Sequence, residues 1–179
     1  MFSRASGLLA AVCMLCLLPA CAERPSSQHP LVGCKAPLFK ASLLDDSPFD
    51  LESQLGKNVI ILDFWATWCG PCEAALPVLM EVAEKYKSQG VEFYGVDVGE
   101  TPAVVQDFLV ERGFKFTVIM DRDGAISEKY KAEGIPQTVI IGRDGTVRVV
   151  HVGFSPHLKE ELSRELDAIV PPQVAHSER

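Results

Sequence analysis

Residues 59–72 constrain this chain more than any other stretch. Val59-Ile60-Ile61-Leu62 is an apolar, β-branched run too short for a helix of its own, and it reads as a buried strand. It leads to Trp68-Cys69-Gly70-Pro71-Cys72. From residue 73 to 89, Leu76, Leu79, Val82, Ala83 and Tyr86 recur at three- and four-residue steps, the period of a helix that Gly90 ends. Cys69 thus falls just ahead of a helix N-terminus, where unpaired N–H groups and the helix dipole favour a thiolate. A thiolate is the species that attacks disulfides, and two cysteines separated by two residues can close a disulfide between themselves. Strand, Cys-x-x-Cys and helix in that order read as a dithiol redox site.

Two blander readings of the pair are weaker. A purely structural disulfide over so small a loop would constrain the unfolded chain little. Zinc would need a second Cys or His pair at short spacing. The other cysteines are Cys13, Cys16, Cys21 and Cys34, and no His-x3–5-His occurs. The expectation is no metal, and no cofactor beyond a redox-active disulfide between Cys69 and Cys72.

Arg4 followed by the apolar residues 7–18, too short to span a bilayer, makes residues 1–20 a secretory signal peptide. Leu18-Pro19-Ala20-Cys21 resembles the lipobox of bacterial lipoproteins, in which Cys21 would become the lipid-bearing first residue. Ordinary cleavage after Ala22 is the alternative, and would leave a soluble periplasmic protein. Cys13 and Cys16 depart with the signal in either case. The expected location is therefore the periplasmic side of a bacterial membrane, lipid-anchored, in a compartment where disulfides persist. Without residues 1–20 the net charge is −8, which argues against nucleic acid or an anionic membrane surface as partner.

Residues 21–32, polar and with two prolines, read as a flexible tether, and residues 171–179 as a polar tail behind Pro171-Pro172. Residues 33–170 between them suit one domain. They open with strands at 39–44 and 48–51 around the turn Asp45-Asp46-Ser47, then a helical turn at 52–55. Further strands are expected at 91–98, 116–120, 137–141 and 146–152, the last two joined through Asp144-Gly145. Thr101-Pro102 opens a helix with Val104, Val105, Phe108 and Leu109 on its inner face. A short helix follows at 125–132, and Ser155-Pro156 caps the last one, which runs to about 170. This is an α/β chain with a mixed central sheet and helices on both faces. Cys34 is left over as an odd thiol, read as structural or free, with interchain pairing or a resolving role as alternatives.

The stretch Ile61-Leu62-Asp63-Phe64-Trp65-Ala66-Thr67-Trp68-Cys69-Gly70-Pro71-Cys72 resembles the active-site strand of thioredoxin. The layout from Gly33 to about Val170 is similar to the TlpA/ResA group of membrane-tethered thiol-disulfide oxidoreductases, with an N-terminal hairpin extension and a central helix–strand insertion at 101–120. The resemblance implies that Cys69 is an exposed, low-pKa nucleophile, and that Cys72 resolves the mixed disulfide. It matches Asp63 to the buried acid that serves the second cysteine as base; an acid at a strand end pointing to water is the alternative. It places a cis-proline at Pro136, facing the pair, where an ordinary trans-proline is the alternative. Substrate would lie against Trp68, Gly70, Pro71, Ile135 and Pro136, pairing with backbone like an added strand.

Two details shape the expected direction. The Gly-Pro between the cysteines resembles reducing thioredoxins, so the expectation is a reductant of disulfides in exported proteins, apocytochrome c among them. A membrane electron donor of the DsbD/CcdA type would recharge it. The group's glutamate three residues after the second cysteine is Ala75 here, which weakens transfer of the cytochrome c role, and Glu73 lies on a different helix face. Two competing functions are a peroxiredoxin-like thiol peroxidase and a copper-handling module using Cys69, Cys72 and His151. The peroxidase pattern Pro-x-x-x-Thr/Ser-x-x-Cys is absent before Cys69.

Overall fold

The computed structural model describes residues 29–170, so the signal and lipobox readings, Cys21 and the tail 171–179 lie outside the described residues. Its centre is β3 (Val59–Trp65), buried on both faces along its whole length, which is why it reads as an unbroken apolar run. β4 (Val91–Val98) lies parallel to β3, with Ile61 opposite Phe93 and Trp65 opposite Asp97. β6 (Gln137–Ile141) lies antiparallel on its other side, with Phe64 opposite Gln137. β1 (Lys40–Leu43), β2 (Pro48–Asp50), β5 (Thr117–Asp121) and β7 (Val147–Val152) complete a 7-stranded mixed sheet in the order β2-β1-β5-β4-β3-β6-β7.

Side-chain alternation divides β3 between two cores. Ile61 and Trp65 face α2 (Gly70–Tyr86), α3 (Pro102–Arg112) and α5 (Leu158–Ile169), packing with Leu76, Leu79, Val105 and Leu162. Leu62 and Phe64 face the other way, against the β1–β2 hairpin, α1 (Leu51–Gln54) and α4 (Ala125–Lys129), with Phe39, Phe49, Ile126 and Tyr130. No helix among the described residues is long and apolar enough to cross a membrane.

Several element boundaries differ from the sequence pattern. α2 begins at Gly70, three residues before the start expected at 73, because Cys69 itself supplies the cap. It ends in a 3-10 turn, Lys87–Gln89, stopped by Gly90 at φ 77°. Val104 is 46% exposed, so α3 buries only the stripe Val105, Phe108 and Leu109, which is the i, i+3, i+4 face. Ser155 does not cap α5. Its Oγ accepts the His157 N–H at 3.1 Å and closes the turn ahead of a helix that starts at Leu158. Part of the expected tether is packed, since Leu31 is buried and Val32 N–H donates to the His29 carbonyl at 3.0 Å.

Candidate active site

β3 delivers the chain to the sheet edge at Trp65, and a tight turn follows in which Cys69 N–H donates to the Ala66 carbonyl at 3.1 Å. Cys69 takes extended backbone angles, φ −92° and ψ 95°, as the N-cap of α2. Its Sγ accepts the Cys72 N–H at 3.2 Å, in the place a serine or aspartate oxygen usually fills. Cys69 and Cys72 are joined by a disulfide with their Cα atoms 5.2 Å apart. Cys69 keeps 5% of its surface open and Cys72 none. Cys69 is thus nearly buried in the disulfide form, rather than exposed as the resemblance implies, and Cys72 is the more completely covered of the two. Trp68, 70% exposed, stands beside the pair with Gly70 and Pro71.

The Ile135–Pro136 peptide bond is cis. The β3–β6 register carries Pro136 to the level of Trp65, where the loop to Cys69 begins. Pro136 is buried, Ile135 is half-buried, and the Pro136 carbonyl accepts the Gly153 N–H at 2.7 Å. That bond holds Val152 and Phe154, both exposed, next to the proline. Trp68, Ile135, Val152 and Phe154 thus supply apolar surface at the same edge of the sheet as the disulfide.

Asp63 is fully buried on the sheet face that α2 covers. Its Oδ1 accepts the Thr138 hydroxyl at 2.8 Å, and its Oδ2 has no hydrogen-bond partner. Burial pushes its carboxyl up to about 7, with the Thr138 hydrogen bond pulling the other way. An acid poised there can take and return a proton near neutrality.

Sequence reasoning missed a pair of acids, Asp97 and Glu100. The two carboxylate oxygens of Glu100 accept the Thr67 N–H and the Thr67 hydroxyl, each at 2.6 Å. Asp97 is fully buried below it, accepts the Glu100 N–H at 3.3 Å through Oδ1 and leaves Oδ2 unpaired. Burial first, and Glu100 beside it second, push the Asp97 carboxyl up to about 8. A usable signal existed, because parallel neighbours end at one sheet edge. Once β3 and β4 are taken as adjacent, Gly99-Glu100 must lie beside Ala66-Thr67.

The remaining candidates sit elsewhere. Glu73 pairs with Arg112 of α3 at 2.5 Å, while Ala75 is buried where the resembling group carries its glutamate. His151 pairs through Nε2 with Glu165 of α5 at 2.8 Å, and that contact raises its pKa. The Cys34 carbonyl accepts the Val147 N–H, which places Cys34 at the Ile141 end of the β6–β7 pair, opposite to Pro136. That is roughly 15 Å along the strand from the cis-proline.

Residues 32–150 match the model of the AhpC/TSA family. A thiol-disulfide oxidoreductase ResA from Bacillus thuringiensis subsp. konkukian is 35% identical over 140 residues, covering 78% of this chain and 79% of the relative. A crystal structure of a putative thiol:disulfide interchange protein DsbE from Chlorobium tepidum superposes with a TM-score of 0.71 at 34% identity, over 76% of this chain and 96% of that one. A secreted disulfide oxidoreductase of Mycobacterium tuberculosis gives a TM-score of 0.62 at 31% identity, over 73% of this chain and 95% of that one.

Proposed function

The chain belongs to the AhpC/TSA family and is a thiol-disulfide oxidoreductase of the ResA and DsbE kind, and from that premise we propose that it reduces disulfides in exported proteins through Cys69 and Cys72. The observation that supports this reading is the asymmetry of the pair: Cys69 caps α2 and keeps a little accessible surface, while Cys72 has none.

In the dithiol form, the Cys69 thiolate attacks one sulfur of a substrate disulfide, forming a mixed disulfide and releasing the other substrate sulfur as thiolate. Cys72 then gives its proton to the Asp63 carboxylate. Its thiolate attacks the Cys69 sulfur, closes the Cys69–Cys72 bond and expels the second substrate thiolate. Two electrons pass from the dithiol to the substrate. Trp68, Ile135, Val152 and Phe154 offer the apolar surface on which an extended substrate segment can lie, with Gly70 and Pro71 between the cysteines and Pro136 level with Trp65.

Asp63→Asn tests the proton step. Resolution of the mixed disulfide is expected to slow on the order of 10²-fold, and its pH profile to lose the inflection near 7 where Asp63 titrates. Unchanged stopped-flow kinetics in the variant would remove Asp63 from the mechanism. Stability should respond in a defined direction. The folded-state pKa is raised, so the neutral acid's contribution is present below about pH 4 and is lost as pH rises through about 7. Urea unfolding should therefore show the Asn variant gaining on the parent between pH 5 and pH 8.

The reducing direction follows from the Gly-Pro dipeptide between the cysteines. Equilibration with glutathione is expected to give a potential nearer the roughly −270 mV of thioredoxin than the roughly −120 mV of DsbA. A value well above about −200 mV would replace the reductase with an oxidase or isomerase. The residues ahead of Cys69 lack the peroxidase pattern, and the pairing of His151 with Glu165 supports a structural place for that histidine rather than copper binding. Export rests on the signal-like residues 1–20, tethering on a lipid at Cys21, and recharging on a membrane electron donor of the DsbD/CcdA type. Apocytochrome c is a substrate candidate.

A further inference from the structure

The exchange chemistry leaves Asp97 and Glu100 unused, yet they hold the residue two places ahead of the nucleophile. Thr67 gives both of its donors, N–H and O–H, to the two oxygens of one carboxylate, each at 2.6 Å. Hydrogen bonds to a carboxylate are stronger than those between neutral groups, and a two-point grip fixes orientation as well as distance. The grip has a rigid floor. Asp97 is fully buried and accepts the Glu100 N–H at 3.3 Å, and Gly99 N–H donates to the Asp121 carbonyl of β5 at 3.0 Å.

The need for such a grip changes with redox state. While the disulfide is closed, a covalent bond pins Cys69 against α2. Reduction breaks that bond, and the Cys69 sulfur then stays over the helix N-terminus only if the turn from Ala66 to Cys69 keeps its shape. We propose that Glu100, braced by Asp97, is a positioning residue that holds Thr67 so that the reduced Cys69 remains the N-cap of α2 and keeps its thiolate character. The inference rests on Cys69 being the attacking sulfur. A carboxylate near a thiolate disfavours it by charge alone, so the expected benefit comes from the hydrogen bonds and not from the charge.

That distinction sets the experiment: iodoacetamide alkylation of the reduced full-length protein as a function of pH, with melting temperature measured alongside. Glu100→Ala should alkylate about fivefold to tenfold more slowly at pH 7, with the midpoint of the profile raised by about one unit. Glu100→Gln should match or exceed the parent, since its amide oxygen still accepts the Thr67 N–H and its amide nitrogen can donate to the hydroxyl. Thr67→Val should fall between parent and Glu100→Ala. Thr67→Val combined with Glu100→Ala should be no slower than Glu100→Ala alone, within about twofold, because both act through one contact. Should Glu100→Ala fail to fold, Thr67→Val against Glu100→Gln makes the same comparison.

A lowered melting temperature with an unmoved alkylation profile would overturn the inference and leave the clamp a structural brace. Multiplying effects of Thr67→Val and Glu100→Ala would overturn it as well. A parent protein that alkylates no faster than free cysteine would fell the Cys69 assignment itself, an outcome recognisable before any variant is compared.

Discussion

Cys69→Ser is expected to lose disulfide-reductase activity by at least on the order of 10³-fold, while Cys72→Ala should perform the first half of the reaction and stop. The difference follows from burial. Cys69 keeps a little accessible surface, so it is the cysteine expected to meet a substrate disulfide, whereas Cys72 has none and is expected to react with a sulfur already attached to Cys69. A serine oxygen at position 69 would still cap α2, so the fold should survive while the nucleophile is gone. In Cys72→Ala the mixed disulfide has no resolving partner and should accumulate as a covalent adduct, visible on a non-reducing gel and released by dithiothreitol. Retained turnover in Cys69→Ser, or adducts formed through another cysteine, would contradict the order of events. A peroxide-consuming enzyme would give a different pattern, with Cys72→Ala still reacting with hydroperoxide at Cys69 and no protein adduct formed.

The second large effect concerns stability alone. Phe64→Ala should destabilise the protein by about 3–5 kcal/mol. That is a large share of the about 5–15 kcal/mol available to a domain of this size. The melting temperature should fall by about 10–20 °C. Phe64 is fully buried, with its ring centroid 5.3 Å from that of Tyr130, in the core on the side of the sheet away from α2. Alternation along β3 therefore separates this position from the disulfide, and Cys69 in the folded variant should alkylate at the parental rate. Calorimetry and alkylation on the same sample check both halves. Slowed alkylation in the folded fraction would mean that the two faces of the sheet are mechanically coupled.

What could be read before folding follows physical lines. The buried strand, the helix behind Cys-x-x-Cys and the hairpin around Asp144-Gly145 all have local causes: apolar period, cap chemistry and turn residues. Asp63 and Pro136 came from resemblance, and the fold supports the expectation that Asp63 is buried and Pro136 cis. The misread details were those settled by neighbours distant in sequence. Val104 fits a helical stripe as well as Val105 does, and only the packing of α3 decides that one faces water. Ser155 is a good capping residue in isolation, but α5 starts three residues later, at Leu158. Glu100 has no local motif at all, since its partner lies 33 residues away across a parallel strand pair.

The sulfur of Cys69 does two jobs at once, because it also receives the N–H that begins α2. That bond is made while Cys69 is tied to Cys72, so even a disulfide sulfur is enough to fasten the opening coil of the helix. The thiolate of the dithiol form is a stronger acceptor, and the helix start is expected to be held most firmly between turnovers, when the sulfur carries its charge.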